Sequence, residues 1–342
     1  GVGDHYRACL DLTARASRAR APERVPGSWA RLVQAIADHD GDTLVSHEMF
    51  ALATADQAAR ALRDLAATGR EVHVVVTVRD LARQLPSLWQ ETVKAARPWT
   101  MSEFLGELRD RTDSGRDPAR ILDYPGLVAD WSQGLPPERV HLVTVPPPGA
   151  GRSLLWERFC ATVGLTAEAF SLDVPDANGS LGAAQVEVLR GVNAELAGRV
   201  SWPMPYTRTV KRGLAHAVLA GRDGARIAVP ASELAWVSAQ AAASVERLAA
   251  SGVDIVGDLA ELLVPDVGPA TGEGPTQEQV TGEAIAAVAA LLLVAAQART
   301  DQRIAEPARD TPVRAGSAAE GSAAEGSVRR AATRIARRFR HG

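Results

Sequence analysis

A mixed α/β fold with a parallel sheet is predicted by three features of this chain. Residues 74–78 read Val-Val-Val-Thr-Val, an unbroken β-branched run that fits a strand buried on both faces of a parallel sheet. A second run, RVHLVTV at 139–145, is stopped by Pro146-Pro147-Pro148. The intervening and following segments carry helical patterning with recognisable starts and stops. With 342 residues, 46% hydrophobic and 23% charged, the chain can bury a sizeable core in one large domain or two.

The elements follow in order. SWARLVQAIADHD (28–40) is expected as a helix capped by Ser28, and Asp40-Gly41-Asp42 as a turn. TLVSHEMF (43–50) is expected to start as a short strand, and residues 54–69 as a helix capped by Thr54 and stopped by Gly69. With the strand at 71–78, residues 43–78 then form a β-α-β unit with parallel strands. Helices are expected at 81–95, 101–111 and 153–164. Beyond that the pattern is mainly helical: 180–198, with Asn178 or Ser180 as cap, then 205–221 and 231–252. Residues 253–263 resemble a short terminal strand and helix, and the globular part is expected to end near Pro265.

The last part differs in kind. Residues 266–282 read as a linker, and 283–306 as a helix. Its apolar stretch of about 16 residues (283–298) falls short of the roughly 20 needed for a bilayer span, so a packed or coiled helix is expected. Residues 307–342 combine a low-complexity repeat, GSAAEGSAAEGS, with VRRAATRIARRFR (328–340). The latter places Val328, Ala332, Ile335 and Phe339 on one helical face among arginines. It is either a solvated, flexible tail or a basic amphipathic helix able to touch an anionic membrane or nucleic acid.

Composition narrows the chemistry. A net charge of −3 gives no specific nucleic-acid signal. Cys9 and Cys160 are too few and too scattered for a disulfide framework or a metal site, which fits a reducing cytoplasm. GVGDHYRACLDL lacks the basic start and apolar core of a signal peptide, and the natural start is expected to be missing because the chain does not begin with Met. Lys94 and Lys211 are its two lysines, and neither lies in a glycine-rich turn of the Gly-x-x-x-x-Gly-Lys kind.

The candidate site lies at strand ends. Arg79 follows the 71–78 strand directly, where open α/β sheets bind ligands, and Ser87 comes eight residues later. The two can converge on one anion, for which the planar guanidinium fork is suited. His47 and Glu48, at the end of the 43–50 strand, are alternative bases beside that clamp. Blander readings apply too: Arg79 paired with Asp80, Ser87 an exposed hydroxyl after Pro86, His47 bonded to backbone, Glu48 a cap or surface acid, Lys94 on a solvated helix face.

These residues resemble the sulfotransferases that use 3′-phosphoadenosine-5′-phosphosulfate (PAPS), and more particularly bacterial sulfotransferase-like proteins. The resemblance is specific at 43–50, 71–95 and 139–149. It implies a three-layer, P-loop NTPase-like parallel sheet with a helical C-terminal part. It also implies that Arg79 and Ser87 hold the nucleotide 3′-phosphate and that His47 or Glu48 deprotonates a hydroxyl or amine acceptor, with no metal. A small molecule, a carbohydrate or a lipid would serve as acceptor, its pocket built from segments such as 97–135 and 178–215. Val45-Ser46-His47-Glu48 keeps the family histidine but not its Thr-His-Leu-Pro setting. Lys211-Arg212-Gly213 is similar to the family's Arg-Lys-Gly phosphate element but falls inside a helical pattern.

One family feature is missing. The Pro-Lys-Ser/Thr-Gly-Thr-Thr loop that holds the 5′-phosphosulfate does not occur among these residues, so an N-terminally truncated fold and feeble sulfuryl transfer are expected. The rivals are a catalytically degenerate binding or scaffold module and a P-loop small-molecule kinase, for which a Walker lysine is lacking.

Overall fold

The computed structural model describes residues 2–19, 21–111, 119–173, 179–200, 204–264 and 274–305. The protein is mixed α/β and mostly helical, around a small open sheet of three parallel strands. The strands are β1 (Val74–Val78), β2 (Val140–Thr144) and β3 (Asp254–Val256), in spatial order β1-β2-β3. Three helices precede β1: α1 (Val2–Leu12), α2 (Ser28–Ala37) and α3 (Ala55–Ala66). The β1-to-β2 crossover contains α4 (Leu81–Lys94), α5 (Met101–Arg111), α6 (Ala119–Leu122) and α7 (Tyr124–Trp131). The second crossover contains α8 (Leu154–Thr162), α9 (Ala183–Leu196), α10 (Met204–Tyr206), a π-helix (Thr207–Leu219) and α11 (Leu234–Ala249). α12 (Gln277–Ala305) follows β3.

Register decides which strand residues make the core. Val74 pairs with Val140, Val76 with Leu142, and Leu142 with Ile255, so these side chains share a face. Val76, Val78, Val140 and Leu142 are buried there against Leu85, Trp89, Phe104, Leu189 and Val237 from the surrounding helices. Thr77, on the opposite face, is exposed. The β-branched run is therefore covered fully on one side only.

Buried polar groups tie the helices together. Gln90 on α4 exchanges two 3.2 Å hydrogen bonds with the Leu181 backbone, accepting from its N–H and donating to its C=O. Asn193 donates to the Val93 carbonyl at 2.7 Å and accepts from the Tyr206 hydroxyl at 2.6 Å, which satisfies the end of α4 from α9 and α10. Each unpaired group here would cost about 1–3 kcal/mol.

Most expected helices form, with Thr54 as the cap, where Gln57 completes a capping box, and a left-handed Gly69 after the helix. Of the two long runs, 140–144 and 74–78 pair as strands, the latter starting three residues later than read. The strand at 43–50 does not form, and with it the β-α-β unit of 43–78 is lost. Residues 43–47 take no regular secondary structure, with His47 extended, and Glu48–Leu52 is a 3₁₀ turn. The physical reason is local: the His47 ring accepts a 3.1 Å hydrogen bond from the Met49 N–H, which competes with a sheet ladder. Phe50 then lodges between Trp29 and Trp131, with edge-on ring contacts at 6.4 and 6.0 Å.

Two boundaries also move. Gly27, with φ +74°, is the residue before α2, and Ser28 instead donates to the Arg24 carbonyl. α12 starts at Gln277, inside the expected linker, because Thr276 and Gln279 form a reciprocal cap. The apolar part of that helix, Gln277–Gln297, is then 21 residues long and by length and composition sufficient to cross a membrane. Asn178, the 265–273 stretch and the 307–342 tail lie outside the described residues.

The exit of β2 is fixed by a charged knot. Arg158 on α8 donates to both oxygens of Glu261, at 2.7 and 2.9 Å, and to the Thr144 carbonyl at 2.8 Å. Thr144 donates its hydroxyl to Glu261. Gly257, at φ +116°, passes so close that an added Cβ would lie 2.1 Å from Thr144 Oγ1. Gly257→Ala should therefore cost about 2 kcal/mol or more, read as a lowered midpoint in denaturant unfolding. The hydrogen bonds from Arg158 hold the Glu261 carboxyl below its ordinary value of 4.5. Its stabilisation is complete above that value and is lost as pH falls through the lower folded-state value. Glu261→Gln should cost about 2 kcal/mol at neutral pH, with the gap from wild type closing below the ordinary carboxylate range.

Candidate functional site

Everything at the carboxyl end of β1 is arranged around the turn into α4. Asp80 is 3% exposed and caps α4, one carboxylate oxygen accepting from the Arg83 N–H at 2.9 Å. Its other oxygen accepts from Arg83 Nε. The two Arg83 terminal nitrogens reach across to β2, donating to the Pro146 carbonyl at 2.9 Å and the Val145 carbonyl at 3.2 Å. Val145 N–H donates to the Val78 carbonyl at 2.8 Å, closing the seam between the two strand exits.

Arg79 sits inside this frame without sharing it. The expected pairing partner, Asp80, is taken by Arg83. The Tyr124 hydroxyl donates to the Arg79 carbonyl at 2.8 Å and fixes its backbone. Its own Nε is buried with no hydrogen-bond partner; among the described residues Gln185 Oε1 is the other such side-chain atom. Burial, and after it the neighbouring Arg83 charge, push the Arg79 guanidinium down from its ordinary value, while Asp80 opposes them. An anion brought to this strand end would supply the missing acceptor and add to the counter-charge that Asp80 shares with Arg83.

The other three sequence candidates are elsewhere engaged. Ser87 is exposed on α4 and donates its hydroxyl to the Arg83 carbonyl at 3.1 Å, one turn back; the lost N–H of Pro86 interrupts the same stretch of helix. His47 stacks on Tyr6 of α1 with ring centroids 5.0 Å apart. Glu48 projects into solvent, 3.5 Å from His47. No hydrogen bond, ion pair or ring contact among the described residues joins His47, Glu48 or Ser87 to Arg79. The shared cleft expected from two neighbouring strand ends loses its premise with the 43–50 strand.

Lys211 is also placed away from Arg79. It lies in the π-helix and meets Glu91 at 3.2 Å, while Lys94 meets the other oxygen of Glu91 at 3.1 Å. Both lysines of the chain thus converge on one carboxylate. Burial pushes Glu91 up, but Lys211 and Lys94 together hold it below the usual range. Burial and the same two cations push His216 down.

A second polar array was not foreseen. At the amino end of the sheet, Glu71, His73, His141 and Asp254 form a line of contacts at 2.8, 2.9 and 2.7 Å. The two imidazole rings lie nearly parallel, 5° apart, with centroids 5.2 Å apart, and each turns its other nitrogen to a carboxylate. Arg139 braces the far side of Glu71 at 2.8 Å. The alternation of His141 with Leu142 in β2 was the available signal, since it puts the ring on the face opposite the core. Among the described residues no group of three or more His, Cys, Asp or Glu side chains is arranged to hold a metal ion.

The chain matches no family model, no curated protein and no solved structure. The geometry itself therefore carries the functional argument. Arg83→Ala should cost about 3 kcal/mol in chemical unfolding, because it leaves the buried Asp80 carboxylate unpaired. Asp80→Asn in the same background should recover part of that loss.

Proposed function

We propose that this chain is a sulfotransferase-like protein that binds the 3′-phosphate of PAPS, or of its product adenosine 3′,5′-bisphosphate, at Arg79. The observation that carries the reading is the buried, unpartnered Arg79 Nε at the carboxyl end of a parallel strand. Ser87, exposed on the helix that follows, is the second contact expected from the resemblance. The finer fold assignment, a three-layer P-loop NTPase-like sheet, belongs to the same proposal.

In the full proposal a sulfuryl group passes to a hydroxyl or amine of a small-molecule, carbohydrate or lipid acceptor, with His47 or Glu48 as base. Nucleotide binding is the better supported half. His47 is held by Tyr6 and Met49, so acting as base would require the 43–50 segment to leave α1. These 342 residues also contain no lysine in a glycine-rich turn for the 5′-phosphosulfate. The same facts favour, as a second reading, a binding or scaffold module of this fold. A kinase-like role is less well supported, since both lysines are engaged by Glu91.

Calorimetry with adenosine 3′,5′-bisphosphate and with AMP tests the assignment. The bisphosphate should bind more tightly, and Arg79→Ala should remove about 1.5–3 kcal/mol, roughly tenfold or more, from the bisphosphate alone. Equal affinity of the unaltered chain for the two nucleotides would sink the 3′-phosphate site. Turnover of PAPS should be far below the roughly 1–1,000 s⁻¹ of ordinary enzymes.

A further inference from the structure

The two halves of α12 live in different surroundings. Its first half is docked: Ala287 is 2% exposed in the core, Ala290 packs beside it, and the helix lies against α9 and the π-helix. Arg222 clasps Glu283 with two hydrogen bonds, at 2.7 and 3.2 Å. From Leu291 to Gln297 every residue is exposed, and Leu292 and Leu293 are 65% and 58% exposed. The helix has run past the body that supports it.

The exposed stretch nearest the body has no polar side. Residues 284–298 contain no charged side chain, and Gln297 is their one polar residue. A helix that pairs with a second helix in water buries one seam and keeps its opposite face polar. An end that is apolar all round instead needs an apolar medium on every side. The exposed stretch Leu291–Gln297 covers about two turns, and the helix runs on through Arg299, Asp301 and Arg303 to Ala305, so apolar residues are followed by charges along one element that can lie in an interface. The charge beyond it points to the kind of surface: residues 328–340 carry six arginines and no acid.

We infer that the protruding end of α12 is a membrane contact, which inserts Leu291–Val294 into the interfacial layer of an anionic phospholipid leaflet. The docked half stays on the protein, because a full span would have to break the Glu283–Arg222 pair and expose Ala287. The apolar end supplies depth, and the arginines downstream supply the preference for negative headgroups. This inference is independent of the nucleotide site.

The test is co-sedimentation of the full chain with phosphatidylcholine vesicles, with and without phosphatidylserine. The unaltered chain should sediment with the phosphatidylserine vesicles, less so as salt is raised. Leu292→Glu with Leu293→Glu should weaken binding at least about tenfold, with an unchanged melting curve because both side chains are exposed and outside the core. Sodium carbonate should release the bound protein. Failure of the unaltered chain to bind, equal binding by the double variant, or resistance to carbonate extraction would each overturn the inference. So would a dimer in sedimentation velocity that the same substitutions dissociate while vesicles stay bare, since the occupant would then be a second copy.

Discussion

The Arg83 fork is the interaction on which the centre of this protein depends. One guanidinium satisfies a buried carboxylate and two backbone carbonyls of a neighbouring strand exit. Without it, Asp80 would be an unpaired buried charge at the start of α4, and the Val145 and Pro146 carbonyls would lose their side-chain donor. Because Arg83 claims Asp80, Arg79 is left as the cation with unsatisfied hydrogen-bonding capacity. A structural ion pair thus creates the condition for a binding site one residue away.

The sheet is small and unequal. Its core face is shielded by helices from both crossovers, and its other face is held by polar side chains as much as by packing. The Arg158–Glu261–Thr144 knot fastens the carboxyl end, and the histidine line fastens the amino end. Short strands gain little from backbone pairing alone, so charge-assisted contacts at both ends stabilise the register.

Much of this was legible in the sequence because periodicity and caps are local. Val74–Val78, the Thr54 cap and the stop at Gly69 depend on nearest neighbours, and they appear as read. Residues 43–50 misled for the same reason. Leu44-Val45 suggests a strand, yet a ring nitrogen two residues before Met49 and three aromatics from distant segments decide otherwise. Thr276-Gln-Glu-Gln279 was readable as a capping box but lay hidden in a stretch dominated by Gly and Pro. Arg79 was located by its strand; that Asp80 pairs with Arg83 rather than with Arg79 is a choice between two neighbouring cations, and contacts from Arg83 to carbonyls 62 and 63 residues away favour it.

The convergence of both lysines on Glu91 has a chemical corollary. Lys94 has 3% of its side chain exposed and Lys211 has 30%. Amine-directed acylation therefore has a single accessible side-chain address, on the π-helix. Neutralising that amine would leave Glu91 shared with one buried cation instead of two. In a protein whose surface cations are otherwise guanidinium groups, a modifying enzyme would find one place to write, and that place is wired directly to the end of α4.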